Sequence, residues 1–283
     1  MQSLGSPSDA ELRDAFARGV LQGPRILTSL GSLGARAGEP EALRARVREL
    51  AEAGADVIKV FASASIRDGG EPTLSQEQLN AICSEATAQG LRSVVHAHGP
   101  ESAQRSARAG CTTIEHGALL DRATLELMAE HEMFFDPNID LVFRNYFENE
   151  DRFLGVGNYT AEGFAQMRNA LAPALAAFQE ALTVPGLRIV FGTDAVAGAH
   201  GRNVQELLYR VKTGGQPAMD AIVSATSLAA ASLGLSEKLG AIAPGMAADI
   251  IATAGDPADD IGVLEDVRFV MMGGRVVRSD LHR

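Results

Sequence analysis

The feature that most constrains this chain is a repeated alternation of short apolar runs with stretches whose apolar residues recur at three- and four-residue intervals. RILTSL leads through a Gly-rich loop to PEALRARVRELAEAG, closed by Gly54, and DVIKVFA leads to the helix opened by Ser75 and closed by Gly90. SVVHAHG leads to PESAQRSARA, closed by Gly110, and TTIEHG leads to a helix capped by Asp121. FFDPNI continues through a long polar loop to a helix around Ala161 to Thr183, and RIVFGTD is followed by NVQELLYRVKTG and a further Ala-rich helix. Upstream of all these, Ser8 with Glu11 three residues on has the signature of a capping box, so the first element is a helix. Strands separated by helices pair in parallel, and strands that are apolar on both faces belong to a sheet covered by helices.

Six such strands fit either an open doubly wound sheet or a TIM-type (β/α) barrel that is incomplete, with about six of eight strands. No Gly-rich dinucleotide or P-loop fingerprint follows an early strand. The polar residues decide the matter: Lys59, His96, His116 and Asp194 fall near the C-terminal ends of four different strands, where barrel enzymes assemble their chemistry. The expected fold is therefore α/β, an incomplete barrel over residues 1–235 followed by a small C-terminal β segment over residues 236–283. That segment holds ADIIATA and a hairpin turning at Gly273-Gly274.

Thirty-six acidic against 25 basic residues give a net charge of -11 with no basic runs, which argues against nucleic acid or an anionic membrane as partner. No apolar stretch reaches membrane-span length and the start lacks signal-peptide character. Cys83 and Cys111 lack metal-ligand spacing and read as reduced core thiols, so a soluble, cytoplasmic protein is expected.

Side chains alternate along a strand, so Lys59 shares a face with Val57 and Phe61, His96 with Val94 and His98, His116 with Ile114, and Asp194 with Val190 and Gly192. If these faces point inward, imidazole and carboxylate groups suited to zinc or a similar divalent ion converge at the barrel mouth. Such an ion polarises a carbonyl and activates water, so the pattern points to metal-assisted hydrolysis of a small-molecule substrate. His98 is left open as substrate contact, spare ligand or surface residue. His200, in the loop above the last barrel strand, is a candidate substrate contact, whereas His131 and His282 read as solvated.

GADVIKVF, SVVHAHG, TTIEHG and GTD, in this order and followed by LGAIAPGMAADIIA and VMMGGRVV, resemble the amidohydrolase superfamily, in its prolidase-like and imidazolonepropionase-related branch. The resemblance implies a metal-dependent hydrolase of amide or peptide bonds in dipeptides or N-acyl amino acids, with tolerance for esters or lactones. It implies that Lys59 carries a CO2-derived carbamate, that His96 and His116 bind metal, and that Asp194 is both ligand and general base. The family's first barrel strand carries an HxH pair, and nothing here matches it; His96-Ala97-His98 follows the lysine strand instead of preceding it. With strands one and two missing, one tightly held metal is expected. The exposed flank then calls for a second copy of the chain in a homo-oligomer, the favoured reading, for a separate chain that completes the barrel, or for the chain's own first helix and β tail folding inward. Two alternatives stay open: a non-catalytic or partner-dependent barrel remnant lacking a complete binuclear site, and a lyase in which Lys59 forms a Schiff base.

Overall fold

The structure is a computed structural model describing residues 1–280 apart from residues 35 and 37; His282 lies outside the described residues. In chain order its strands are β1 (Gln2–Ser3), β2 (Leu27–Thr28), β3 (Ser32–Leu33), β4 (Val57–Phe61), β5 (Arg92–Ala97), β6 (Thr113–His116), β7 (Phe134–Asp136), β8 (Arg188–Ile189), β9 (Ile250–Ala252), β10 (Phe269–Met272) and β11 (Arg275–Ser279). Its helices are α1 (Asp9–Ala17), α2 (Pro40–Glu52), α3 (Gln76–Ala88), α4 (Pro100–Arg108), α5 (Arg122–Glu130), α6 (Leu141–Glu148), α7 (Glu150–Phe153), α8 (Ala161–Ala181), α9 (Val204–Lys212), α10 (Ala218–Ala225) and α11 (Ser227–Ser232).

Strands β3 to β8 form one six-stranded parallel sheet in sequence order, as the alternation predicts. Val57, Ile58, Val60, Val94, Val95 and Ile114 are fully buried within it, because helices cover its outer face and the strands curve around their own interior. Among the described residues the wall does not close. Its free flank is shorter than expected, however, since β1 pairs in parallel with β2 and continues the wall by one short strand. The run from Leu27 to Leu33 bridges both sides: Ser29 N–H donates to Ser3 O at 3.2 Å, and Asp56 N–H donates to Thr28 O at 2.8 Å. The reading that the first element is a helix is thus corrected, for MQS supplies a strand ahead of α1 that is too short to show an apolar period.

Capping chemistry is borne out at two helices and fails at one. Ser75 and Gln78 form a complete capping box at α3, and Asp121 accepts from Thr124 N–H at α5. Ser8 makes no side-chain cap, because its hydroxyl is engaged by Ser6 at 2.5 Å and its backbone is already helical. The polar loop after FFDPNI is largely helical, forming α6 and α7; Leu141, Val142, Asn145 and Tyr146 give α6 a buried face that the polar residues between them mask. The tail forms a three-stranded antiparallel sheet in the order β11-β10-β9, with Gly273 and Gly274 at φ of 55° and 79° in the β10–β11 turn.

Cys83 and Cys111 are bonded to each other, with Cα atoms 5.1 Å apart, correcting the expectation of free core thiols. They stand 28 residues apart in sequence, but α3 packs against the sheet where β6 begins, which sequence spacing does not reveal. No helix of the described residues is long and apolar enough to cross a membrane.

Candidate active site

A cavity of about 800 Å³ opens at the C-terminal ends of the sheet strands and is lined by Lys59, His96, His98, His116, Asp194 and His200. All six residues expected from sequence therefore face one space. Met1 to Leu4 and, from the C-terminal part of the chain, Ala229 and Leu233 also line it, so the N-terminal segment and α11 contribute to its wall.

Strand alternation places Lys59, His96 and His98 on the inner face as expected, but it fails at His116. Thr113 and Glu115 line the cavity while Ile114 is fully buried behind the sheet, so His116 should point outward. It turns inward because its backbone is left-handed, with φ of 73°. Asp194 likewise has φ of 42°. Such backbone costs a non-glycine residue on the order of 1–3 kcal/mol and concentrates at functional sites.

The three imidazoles form one cluster. His96 lies 4.6 Å between ring centroids from both His98 and His116, and the His98 and His116 rings stack at 5.1 Å. His98 is only 4% exposed, which removes the surface-residue alternative for it. Burial pushes the His96 pKa down to about 3, with the Lys59 charge acting in the same direction, and burial also holds His98 and His116 well below the ordinary histidine value. All three are neutral near pH 7, the form that donates a lone pair. A carbonyl only accepts, so the 3.3 Å contact of His96 Nε2 with Ala64 O puts the proton on Nε2 and leaves Nδ1 free to ligate. His98 Nδ1 is buried with no hydrogen-bond partner.

Lys59 is 5% exposed, with Nζ 5.3 Å from the Phe61 ring centroid. Burial lowers its pKa, opposed by Glu115, Asp194 and Asp136. Protein surrounds Asp194 on nearly every side, yet the carboxylate presents its surface to the cavity; burial raises its pKa, and the charges of Lys59 and Arg67 pull it back down.

Several site residues gave no sequence signal. Glu115 and Asp136 are direct neighbours across β6 and β7 and are both buried inside the wall. Burial raises the pKa of each; the charge of Glu115 raises that of Asp136 further, whereas Lys59 and a hydrogen bond with Asp136 pull that of Glu115 back down. Gly192 is required by this pair, since a Cβ there would fall 1.9 Å from Asp136 Oδ2. Behind them, fully buried Arg210 donates to Val190 O at 2.8 Å and to Pro137 O, and lies 3.4 Å from the equally buried Glu206. Glu206 in turn accepts from the backbone N–H groups of Ile139, Asp140 and Leu141 at 2.8 to 3.0 Å, fixing the entry to α6. An i,i+4 Glu–Arg pair on a helix usually reads as a solvated face, and so this one was invisible in sequence.

Among the described residues, no three His, Cys, Asp or Glu side chains already share a metal-ligand arrangement. The donor set nevertheless fits a divalent ion: three neutral imidazoles in mutual contact, one with an orphaned buried nitrogen, face a carboxylate across a cavity.

The sequence model of the amidohydrolase family matches residues 1–277. The chain is 31% identical over 247 residues to ochratoxinase from Aspergillus niger, covering 84% of this chain and 50% of that protein. It thus spans about half the length of the curated relatives it matches. Among solved structures, a Xaa-Pro dipeptidase with bound methionine superposes with a TM-score of 0.88 at 31% identity, over 98% of this chain and 74% of that one. Aspergillus niger ochratoxinase superposes with a TM-score of 0.85 at 25% identity, over 98% and 71% of the two chains. On the family match and the shared barrel architecture, the chain belongs to the amidohydrolase family.

Proposed function

We propose that this protein is a metal-dependent hydrolase of amide bonds in small substrates such as dipeptides and N-acyl amino acids, with zinc or a similar divalent ion held by His96, His116, Asp194 and a Lys59 carbamate. The observation that carries the reading is the contact of the His96, His98 and His116 rings, 4.6 to 5.1 Å between centroids, in a cavity that Lys59 and Asp194 share. A divalent ion bound there supplies Lewis-acid polarisation of the scissile carbonyl.

The chain's own residues supply the rest. Asp194, exposed to the cavity though crowded by protein, takes the proton of the attacking water and returns it to the leaving amine. His98, whose buried Nδ1 has no hydrogen-bond partner, completes the ligand set or binds substrate, and His200 contacts substrate from the loop above β8. The buried histidines stay neutral, so protonation does not compete with ligation near pH 7. Amide hydrolysis is favoured over Schiff-base chemistry at Lys59 because three imidazoles and a carboxylate surround the same space.

Purified without chelator and supplied with zinc, the protein is expected to retain about one equivalent, as a set of three or four protein ligands allows. His96→Ala and His116→Ala should each lose it, measured by elemental analysis after desalting. Full retention in both variants would place the ion elsewhere and end this reading.

A further inference from the structure

Arg67 is a cation at the cavity whose partners leave its outer edge unused. It sits in the single 3₁₀ turn Ile66–Asp68 that follows β4, opened by Ser65, whose hydroxyl accepts from Arg67 N–H at 3.3 Å. Three contacts hold the guanidinium in place. Its Cζ lies over the Tyr159 ring, 4.0 Å from the centroid, and 5.7 Å from the Tyr146 centroid. Tyr146 and Tyr159 are joined by a 2.7 Å hydroxyl hydrogen bond, so the aromatic backing is itself fixed. Arg67 Nε donates to Asn158 Oδ1 at 3.2 Å. Asp68, the neighbouring carboxylate, is engaged by Asn158 Nδ2 at 2.6 Å, and among the described residues no carboxylate pairs with Arg67.

The backbone around it is built for this arrangement. The first turn of α8 lies directly over Arg67, and a Cβ on Gly163 would stand 3.3 Å from Arg67 Cβ and 2.9 Å from Asn158 O. Only glycine lets the helix approach so closely. The charge faces the reacting groups, for Arg67 and the imidazole cluster line the same cavity and its field lowers the pKa of His96, His98 and Asp194. A planar guanidinium with Nε occupied and one face stacked retains its terminal nitrogens, the edge that takes a carboxylate in a forked pair. Stacking also removes the rotamer freedom that an exposed arginine would lose on binding.

We propose that Arg67, held by Tyr159, Tyr146 and Asn158, recognises the α-carboxylate of the amino acid on the leaving side of the scissile amide, and so restricts the enzyme to substrates with a free carboxylate. The proposal rests on the hydrolase reading for the word substrate, but its binding test does not.

Binding of N-acetyl-L-phenylalanine and of its uncharged carboxamide to the zinc-supplemented full chain is measured by calorimetry. The acid is expected to bind about 10-fold or more tightly, the range for a charge-assisted forked pair. Arg67→Gln should abolish that preference while changing carboxamide affinity by less than about threefold. Arg67→Met, which keeps the stem and the apolar contact with Tyr159, serves as a second uncharged variant if the glutamine variant misfolds. In turnover, either variant should raise KM for an N-acyl amino acid by about 10- to 100-fold with kcat changed far less, the pattern of lost ground-state binding. Absence of any preference for the acid in the parent chain, including failure of both ligands to bind, overturns the proposal, as does a preference that survives both substitutions. An acid preference lost with Arg67 in a protein that hydrolyses nothing would uphold the carboxylate site and refute the hydrolase reading alone.

Discussion

Replacing Asp194 with asparagine should lower turnover by about 10²-fold or more while the fold persists, the range for removal of a positioned general base. Asparagine keeps the size and one acceptor oxygen of the side chain, and the left-handed backbone at φ of 42° is one that asparagine adopts with little cost. The substitution therefore isolates the proton-accepting oxygen from the geometry that presents it. Steady-state rates on an N-acyl amino acid, with metal content and circular dichroism as controls, make the test. A variant within about threefold of the parent rate would move the base to another group, with His98 and His200 the next to substitute.

The largest expected loss of stability comes from Arg210. Its side chain and that of Glu206 have no solvent exposure, and Arg210 is also 3.5 Å from Asp136. Arg210→Met leaves two buried carboxylates without their cation and strips donors from Val190 O and Pro137 O. Breaking a buried pair on one side costs about 3–5 kcal/mol, seen as a lower urea midpoint at unchanged slope. Combining Arg210→Met with Glu206→Gln should recover part of that loss, since the amide removes the stranded charge yet its one oxygen can still accept from the N–H groups of Asp140 and Leu141. A loss under about 1 kcal/mol in the single variant would mean that water reaches the pair.

The strands and their order were legible because each is a short apolar run between helices with clear caps, and the four expected polar positions fall where those runs end. Alternation carried the argument as far as His96 and His98. It failed at His116, where one left-handed residue reverses the side chain's direction, and no residue-type pattern marks a histidine that will do this. Arg67 escaped notice because a single 3₁₀ turn has no period to read. Its partners Asn158 and Tyr159 lie about 90 residues downstream. Glu115 and Asp136 became adjacent only through the pairing of β6 with β7, and the helical character of residues 141–153 was hidden among polar neighbours.

The bond between Cys83 and Cys111 makes a covalent ring of the chain between them, and that ring contains all of β5 and α4 together with His96 and His98. A protease cutting once inside the ring, for example at the exposed turn around Gly90, would release no fragment. The two histidines would stay tethered to the strand that bears the third, and the nicked protein should migrate as one species on a denaturing gel until a thiol is added. Both sulfurs belong to nearly inaccessible residues, at 1% and 4% exposure, so in the folded protein a reductant must wait for the α3–β6 contact to open. The rate at which the ring opens in mild thiol thus reports the local unfolding of the wall beneath the active site.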